Sequence, residues 1–433
     1  SKAGDAETEI TTSLLSNYQT TTKTLYNAKT SFNLTTGYLN AKESKTYTLR
    51  LWLDENVDMN TEGVQNAKFS SKVVVTTSYI EALEDAKDVL SYVKKNANSL
   101  PSAVYTVPGI SNDSCTYTLA YDGTSDNNLR YVGANPCNYV KIDNEIWRII
   151  GLMNNVDDGT GKKETRIKLI RNESIGTYSW DTSESSVNSG DGVNEWSQAD
   201  LMKLLNPGYE SEEIGGSLYY NGGSGTCYNS SSNATTACDF TSSGLKENLK
   251  NLVGSTLWHT GTNGTNEWSS SSNGLASHFY SYERSNNTGK ICTSGSVCND
   301  NVLRTITWNG KIGLMYPSDY GYASSGSTSN RTSCLAKALY DFDFEPWDDQ
   351  ESGCVENDWL YNSGDYQWTI SPTTHSLGAT IVFRIGLSGH GIVNTAPAAT
   401  AGLVRPSVYL ISSTSILGGE GSETNPYILG AEN

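Results

Sequence analysis

The stretch WTISPTTH, residues 368–375, brings Trp368, Ser371 and His375 together, and His390 follows close behind. Serine and histidine at short spacing raise the question of a nucleophile activated by a general base. Such a serine needs the base within hydrogen-bond reach and an acid to orient it. The chain has 4 histidines, His259, His278, His375 and His390. Ser371 lacks the GxSxG elbow that presents a serine on a strand-to-helix turn. The stretch therefore reads as packing, with Trp368 and Ile370 inward, Ser371-Pro372 closing a turn and His375 starting a surface loop. No catalytic residue is assigned, and the chain is expected to be non-enzymatic.

Two other groups of residues invite chemistry. DFDFEPWDDQE contains Asp341, Asp343, Glu345, Asp348, Asp349 and Glu351. Calcium takes roughly six to eight oxygen ligands, and acidic loops can supply them, but this spacing is not an EF-hand. The cluster reads first as a solvated acidic loop, with calcium as the one ion for which it offers ligands. No cofactor is expected. The chain also has 26 Tyr and 10 Trp against only 7 Phe. Trp258, Trp308, Tyr320 and Tyr322 are candidates to line a glycan groove, since exposed aromatic rings stack on sugars and anchor partners. With Phe scarce, many Tyr and Trp must instead fill cores.

These residues need a scaffold, and the composition describes one. The chain has 433 residues, enough for two or three domains, with 36% hydrophobic and 18% charged residues. A net charge of −17 repels nucleic-acid phosphates and anionic membrane surfaces. No apolar run reaches the roughly 20 residues that span a bilayer. The polar opening SKAGDAETE holds no signal peptide and is expected of a processed secreted chain. The 8 cysteines fall into neighbouring couples: Cys115 with Cys137, Cys227 with Cys238, Cys292 with Cys298, and Cys334 with Cys354. None has a zinc-ligand spacing. Four local disulfides formed in an oxidising compartment, pinning long Gly/Ser/Asn loops, are the expectation.

Periodicity divides the chain. TYTLRLWL (46–53) and FSSKVVVTT (69–77) alternate as half-buried strands, which suggests a β-sandwich over residues 1–78. Ser78 and Glu81 form a capping box, and the helix it opens, with the linker NANSLP, fills 79–110. Residues 111–433 read as a larger α+β domain. There EIWRIIGLM (145–153) and RIKLIRN (166–172) predict a hairpin. NEWSQADLMKLLN (194–206) predicts a helix with Ser197 as N-cap, and CLAKALYDF (334–342) another. KIGLMYPSDYGYA (311–323) predicts a strand running into an aromatic turn, and ATIVFRIG and LVRPSVYL the last strong strands. The first region offers fewer strands than a full sandwich, so a neighbour could complete it by donating a strand. Ile10, Leu14 and Leu15 of the leader are the candidate anchors.

The run YTLRLWLDENVDMNTEGVQNAKFSSKVVVTT resembles the closing strands of a camelysin/TasA-like sandwich found in surface proteins of gut Firmicutes and Mollicutes. From about residue 140 to 412, the order of WRIIG, IKLIRNESIG, EWSQADLMKLLN, IGLMYPSDYGYA, WTISP and LVRPSVYL resembles that of an uncharacterised domain family of the same bacteria. That domain is similar to the C-type-lectin-like fold shared with formylglycine-generating enzymes. The resemblance makes Trp368, Ser371, Pro372, Arg405 and Pro406 a closing signature, with Trp368 buried and Arg405 near the Ser371-Pro372 turn. The lectin EPN and WND motifs are absent, the nearest text being EPWDD at 345–349, and the redox cysteines of the enzymes have no counterpart. The implied role is a secreted or surface structural subunit of a fibre or adhesin that self-associates. A carbohydrate- or protein-binding surface module is the alternative, and a surface hydrolase ranks last.

Overall fold

The computed structural model describes residues 103–106, 114–142, 145–183, 190–206, 225–226, 237–238, 251–262, 268–270, 272–288, 301–326, 331–342, 353–361, 366–373, 380–388 and 391–431. All belong to the second of the two units into which the chain divides, Leu83–Asn433. The predicted sandwich, Ile10, Leu14, Leu15, Cys227, Cys292, Cys298, Asp343, Glu345, Asp348, Asp349, His375 and His390 lie outside the described residues, as does the side chain of Cys238.

Strand β1 (Tyr105–Thr106) is followed by β2 (Thr118–Tyr121), β3 (Leu129–Tyr131), β4 (Tyr139–Ile142), β5 (Glu145–Asp157), β6 (Lys163–Arg171) and β7 (Thr177–Ser179). Helix α1 (Asp200–Leu205), a small pair β8 (Gly225–Thr226) and β9 (Ala237–Cys238), and β10 (Thr256–His259) come next. Helix α2 (Ala276–Glu283), β11 (Thr307–Gly310), β12 (Ile312–Gly313), α3 (Pro317–Ala323) and α4 (Arg331–Leu335) lead to the closing strands. These are β13 (Gln367–Pro372), β14 (Ile381–Ser388), β15 (Gly391–Pro397), β16 (Ala401–Leu403), β17 (Ser407–Tyr409), β18 (Thr414–Gly418) and β19 (Tyr427–Ala431).

The expected hairpin organises the fold. β5 and β6 pair antiparallel from Trp147↔Arg171 to Asp157↔Lys163, farther than the apolar letters alone suggest. β5 is buried along nearly its whole length, as a strand covered on both faces should be. It bulges between Ile149 and Gly151, where a Cβ on Gly151 would stand 2.3 Å from the Leu129 carbonyl oxygen. Only glycine lets β3 close on β5 there. Among the described residues β5 lies in a 10-stranded sheet whose main path runs β1-β2-β3-β5-β4-β19-β18, with β6, β17 and β12 branching from β5. A second sheet of 5 strands runs β15-β14-β13-β16-β7. Trp180, Trp196 and Trp308 pack between elements in tilted and edge-to-face pairs, with ring centroids 5.3 and 5.9 Å apart. The fold is β-rich α+β, as expected.

Several local expectations change. The helix at 194–206 begins as a 3-10 turn, Trp196–Gln198, capped by Glu195, whose side chain accepts the Ser197 N–H. Ser197 is thus inside the turn, because the longer Glu195 carboxylate reaches two donors, the Ser197 N–H and Oγ. PSDYGYA is helix α3 and not an aromatic turn: Pro317 takes the first helical position and Asp319 caps the Tyr316 N–H at 2.9 Å. Ser371 and Pro372 end strand β13 and do not close a turn. Trp368 is fully buried, as expected. Arg405 reaches the opposite end of that strand, donating to Gln367 Oε1 at 3.3 Å, because β13 and β16 pair in parallel at Gln367↔Leu403.

Candidate functional site

Strand β6 carries Lys168 in the middle of an apolar run, and the side chain is 0% exposed. β17 pairs beside it, with Tyr409 opposite Lys168. Burying an ammonium is expensive unless it is paired. Its partner comes from α3: Lys168 Nζ donates to Asp319 Oδ2 at 2.6 Å. The remaining surroundings are aromatic, with Nζ 4.1 Å from the Tyr316 ring centroid, 5.1 Å from Tyr409 and 5.2 Å from Trp258. Ring faces attract a desolvated cation. Burial pulls the Lys168 amine down to about 8, with Asp319 opposing part of that shift.

Asp319 is shared. Arg130 on β3 donates from Nη1 to Asp319 Oδ1 at 2.7 Å and from Nε to Asp122 Oδ2 at 2.9 Å. Burial alone would raise the Asp319 carboxyl, but Lys168 and Arg130 outweigh it and hold it at about 2. Asp122 is fixed by the turn between β2 and β3, accepting the N–H groups of Thr124 and Asn128. Two cations and two carboxylates thus neutralise one another in the core.

A third carboxyl, Glu283 at the end of α2, is 1% exposed. It accepts the Ser318 N–H at 3.0 Å, the Ser318 hydroxyl at 2.7 Å and Arg284 Nη1 at 3.1 Å. Burial pushes it up to about 7, with Arg284 opposing and Asp319 adding to the shift.

Above this floor a cleft of about 440 Å³, including its open mouth, is walled by Asp126, Asn154, Asp157, His259, Arg284 and Tyr409, among others. Arg284 lies 3.5 Å above the Tyr280 ring, and the Tyr280 hydroxyl contacts the Asp126 carboxylate. Burial, then Arg284, lowers the His259 imidazole to about 4, so it is neutral at physiological pH. Tyr409 is 6% exposed, and its hydroxyl makes no hydrogen bond among the described residues. The cleft therefore presents polar atoms on an aromatic floor, and its described lining residues include no nucleophile–base pair.

The sequence-predicted residues fall elsewhere. Trp258, Trp308, Tyr320 and Tyr322 are between 0 and 3% exposed and line no glycan groove. They fill the core that scarce Phe leaves open, and Trp258 also faces Lys168. Ser371 is buried, and its Oγ has no hydrogen-bond partner among the described residues. His278 accepts the Leu275 N–H through Nδ1 at 3.3 Å, at the start of α2. Asp341 ends a 3-10 turn, and no cluster of metal-binding side chains forms among the described residues. Cys115–Cys137 and Cys334–Cys354 are disulfides, as expected. No helix among the described residues is long and apolar enough to cross a membrane.

Lys168, Asp319, Arg130 and Glu283 went unselected in the sequence. A usable signal existed in RIKLIRN, where Lys168 interrupts the strand's apolar run, and in YPSD, whose Pro and Asp mark a helix start. No known family, curated protein or solved structure matches this chain.

Proposed function

We propose that this chain is a non-enzymatic structural subunit, secreted or displayed at a cell surface, that self-associates into a fibre or adhesin. The observation that carries the reading is how the buried charges are spent. Lys168, Arg130, Asp122 and Asp319 neutralise one another between β6, β3 and α3. Such groups brace a frame and leave little for turnover. Two short-range disulfides pin connecting segments, which suits an oxidising exterior. The resemblance to camelysin/TasA-like and C-type-lectin-like surface domains points the same way. Negative-stain microscopy of the purified chain, with and without residues 1–20, tests it. Filaments or ordered oligomers are expected, and strictly monomeric particles at high concentration in both forms would overturn it.

A second reading, a carbohydrate- or protein-binding module, rests on the cleft, where the Tyr409 hydroxyl and the His259 ring offer uncommitted polar atoms. A glycan array with and without calcium tests it. Signal lost on His259→Ala would support it, and no signal in either condition would remove carbohydrate as the ligand.

A further inference from the structure

We propose that Lys168 and Asp319 condense into an intramolecular amide, so that the mature protein carries a covalent cross-link between strand β6 and helix α3. The geometry is the first argument. Nζ and Oδ2 are 2.6 Å apart, with side-chain exposures of 0% and 2%, so the reacting groups are already in contact and shielded from water. Holding two groups in this way is worth effective concentrations of roughly 10⁵–10⁸ M.

The surroundings are the second argument. An ammonium has three N–H donors, yet Asp319 is the single hydrogen-bond acceptor of Lys168 among the described residues, and three aromatic rings supply the rest of the cage. The rings attract the ammonium but take up none of its N–H donors as an oxygen acceptor would, whereas an amide has a single N–H to place. Desolvation is also the usual way to make a lysine nucleophilic. Burial brings the Lys168 amine down to about 8, so its loss of a proton near neutral pH is accessible.

The step balances without a co-reactant. A proton passes from the Lys168 ammonium to Asp319 Oδ2 along their hydrogen bond. The neutral amine attacks Cγ, and the developing negative charge on Oδ1 is met by Arg130 Nη1, 2.7 Å away. The second amine proton passes to Oδ2 within the tetrahedral intermediate, and Oδ2 leaves as water. One N–C bond forms, one C–O bond breaks, and nothing is oxidised or reduced. Asp319 is held ionised by Lys168 and Arg130, so only the minor amine–acid tautomer reacts. The link therefore forms after folding, over prolonged incubation. It joins residues 151 apart in sequence, and cross-links that close long loops constrain the unfolded chain most.

Intact mass spectrometry of the aged, folded chain, reduced and denatured before injection, decides the matter. The expected mass is one water below that of the sequence, and proteolysis should release a branched peptide joining Lys168 to Asp319. Lys168→Arg should show the unshifted mass while keeping the native circular dichroism. An unshifted wild-type mass overturns the proposal even if the variant misfolds. So does an equal water loss in Lys168→Arg, which would place the dehydration elsewhere.

Discussion

The Trp368 indole lies against Gly402 so closely that a Cβ at position 402 would stand 2.8 Å from Nε1. The ring cannot swing away, because Nε1 donates to the Tyr178 carbonyl oxygen at 2.9 Å. Both contacts hold β13, β16 and β7 in one sheet, where Gly402 pairs with Tyr178. Gly402→Ala should therefore destabilise the protein by about 1–3 kcal/mol, the usual cost of overpacking a filled core. Urea unfolding followed by Trp fluorescence measures this. A midpoint equal to wild type would show that the indole has room to move.

Arg130 stands between two buried carboxylates, Asp122 and Asp319. Removing one member of a buried ion network leaves its partners uncompensated, which costs about 3–5 kcal/mol. Arg130→Met keeps much of the volume and removes the charge. We expect a loss of that size, and a smaller loss in Asp122→Asn/Arg130→Met, where one of the stranded charges is also gone. Denaturant unfolding of the two variants checks the order. If the double variant were the less stable, Asp122 would be held by its turn and not by Arg130.

The hairpin and the closing strands were legible because their apolar letters have one dominant period and both faces of β5 are covered. The helical state of PSDYGYA was not, since Gly321 and the two β-favouring tyrosines, Tyr320 and Tyr322, mask a start signal two letters long. The site was hidden for a different reason. Lys168 on β6, Asp319 on α3 and Glu283 on α2 are far apart in sequence, and nothing local marks a lysine as buried. Conversely, Trp258 and Tyr320 looked like exposed stacking platforms because residue type alone does not tell a core aromatic from a surface one.

The two observed disulfides close short segments, with sequence separations of 22 and 20. Loop-closure arguments put each at about 3 kcal/mol. Cys115→Ala/Cys137→Ala should lower stability by that order, as should Cys334→Ala/Cys354→Ala. Because the two links share no segment, the combined variant should lose about the sum. Thermal unfolding of the three variants checks additivity, and a combined loss no greater than either alone would show that both act on one local unit.

Ser371 gives a sharper test of its own non-catalytic reading. Its Oγ is buried without a hydrogen-bond partner among the described residues, and a desolvated hydroxyl costs stability unless it is paired. Ser371→Ala should then be neutral or stabilising by up to about 1 kcal/mol. A clear destabilisation in the same melts would mean that the hydroxyl has a partner after all.

Glu283 sets a pH dependence whose sign follows from its burial. The carboxyl titrates near 4.5 when free and at about 7 in the folded chain. Between those values the unfolded chain has lost the proton while the folded chain keeps it. The folded state then binds more protons, so stability falls as pH rises through this window and levels off above about 7. At about 1.4 kcal/mol per unit, the fall is on the order of 3 kcal/mol. Asp181, raised to about 6 by burial and the nearby Asp200, adds a fall of its own in the same direction. Glu283→Gln cannot ionise, while its amide oxygen still accepts the Ser318 N–H. Subtracting its urea stability from wild type near pH 5 and again near pH 8 removes the Asp181 contribution, common to both proteins. Wild type should lose more between the two conditions than the variant does. Parallel losses would mean that Glu283 is already ionised in the fold, paired with Arg284 at 3.1 Å.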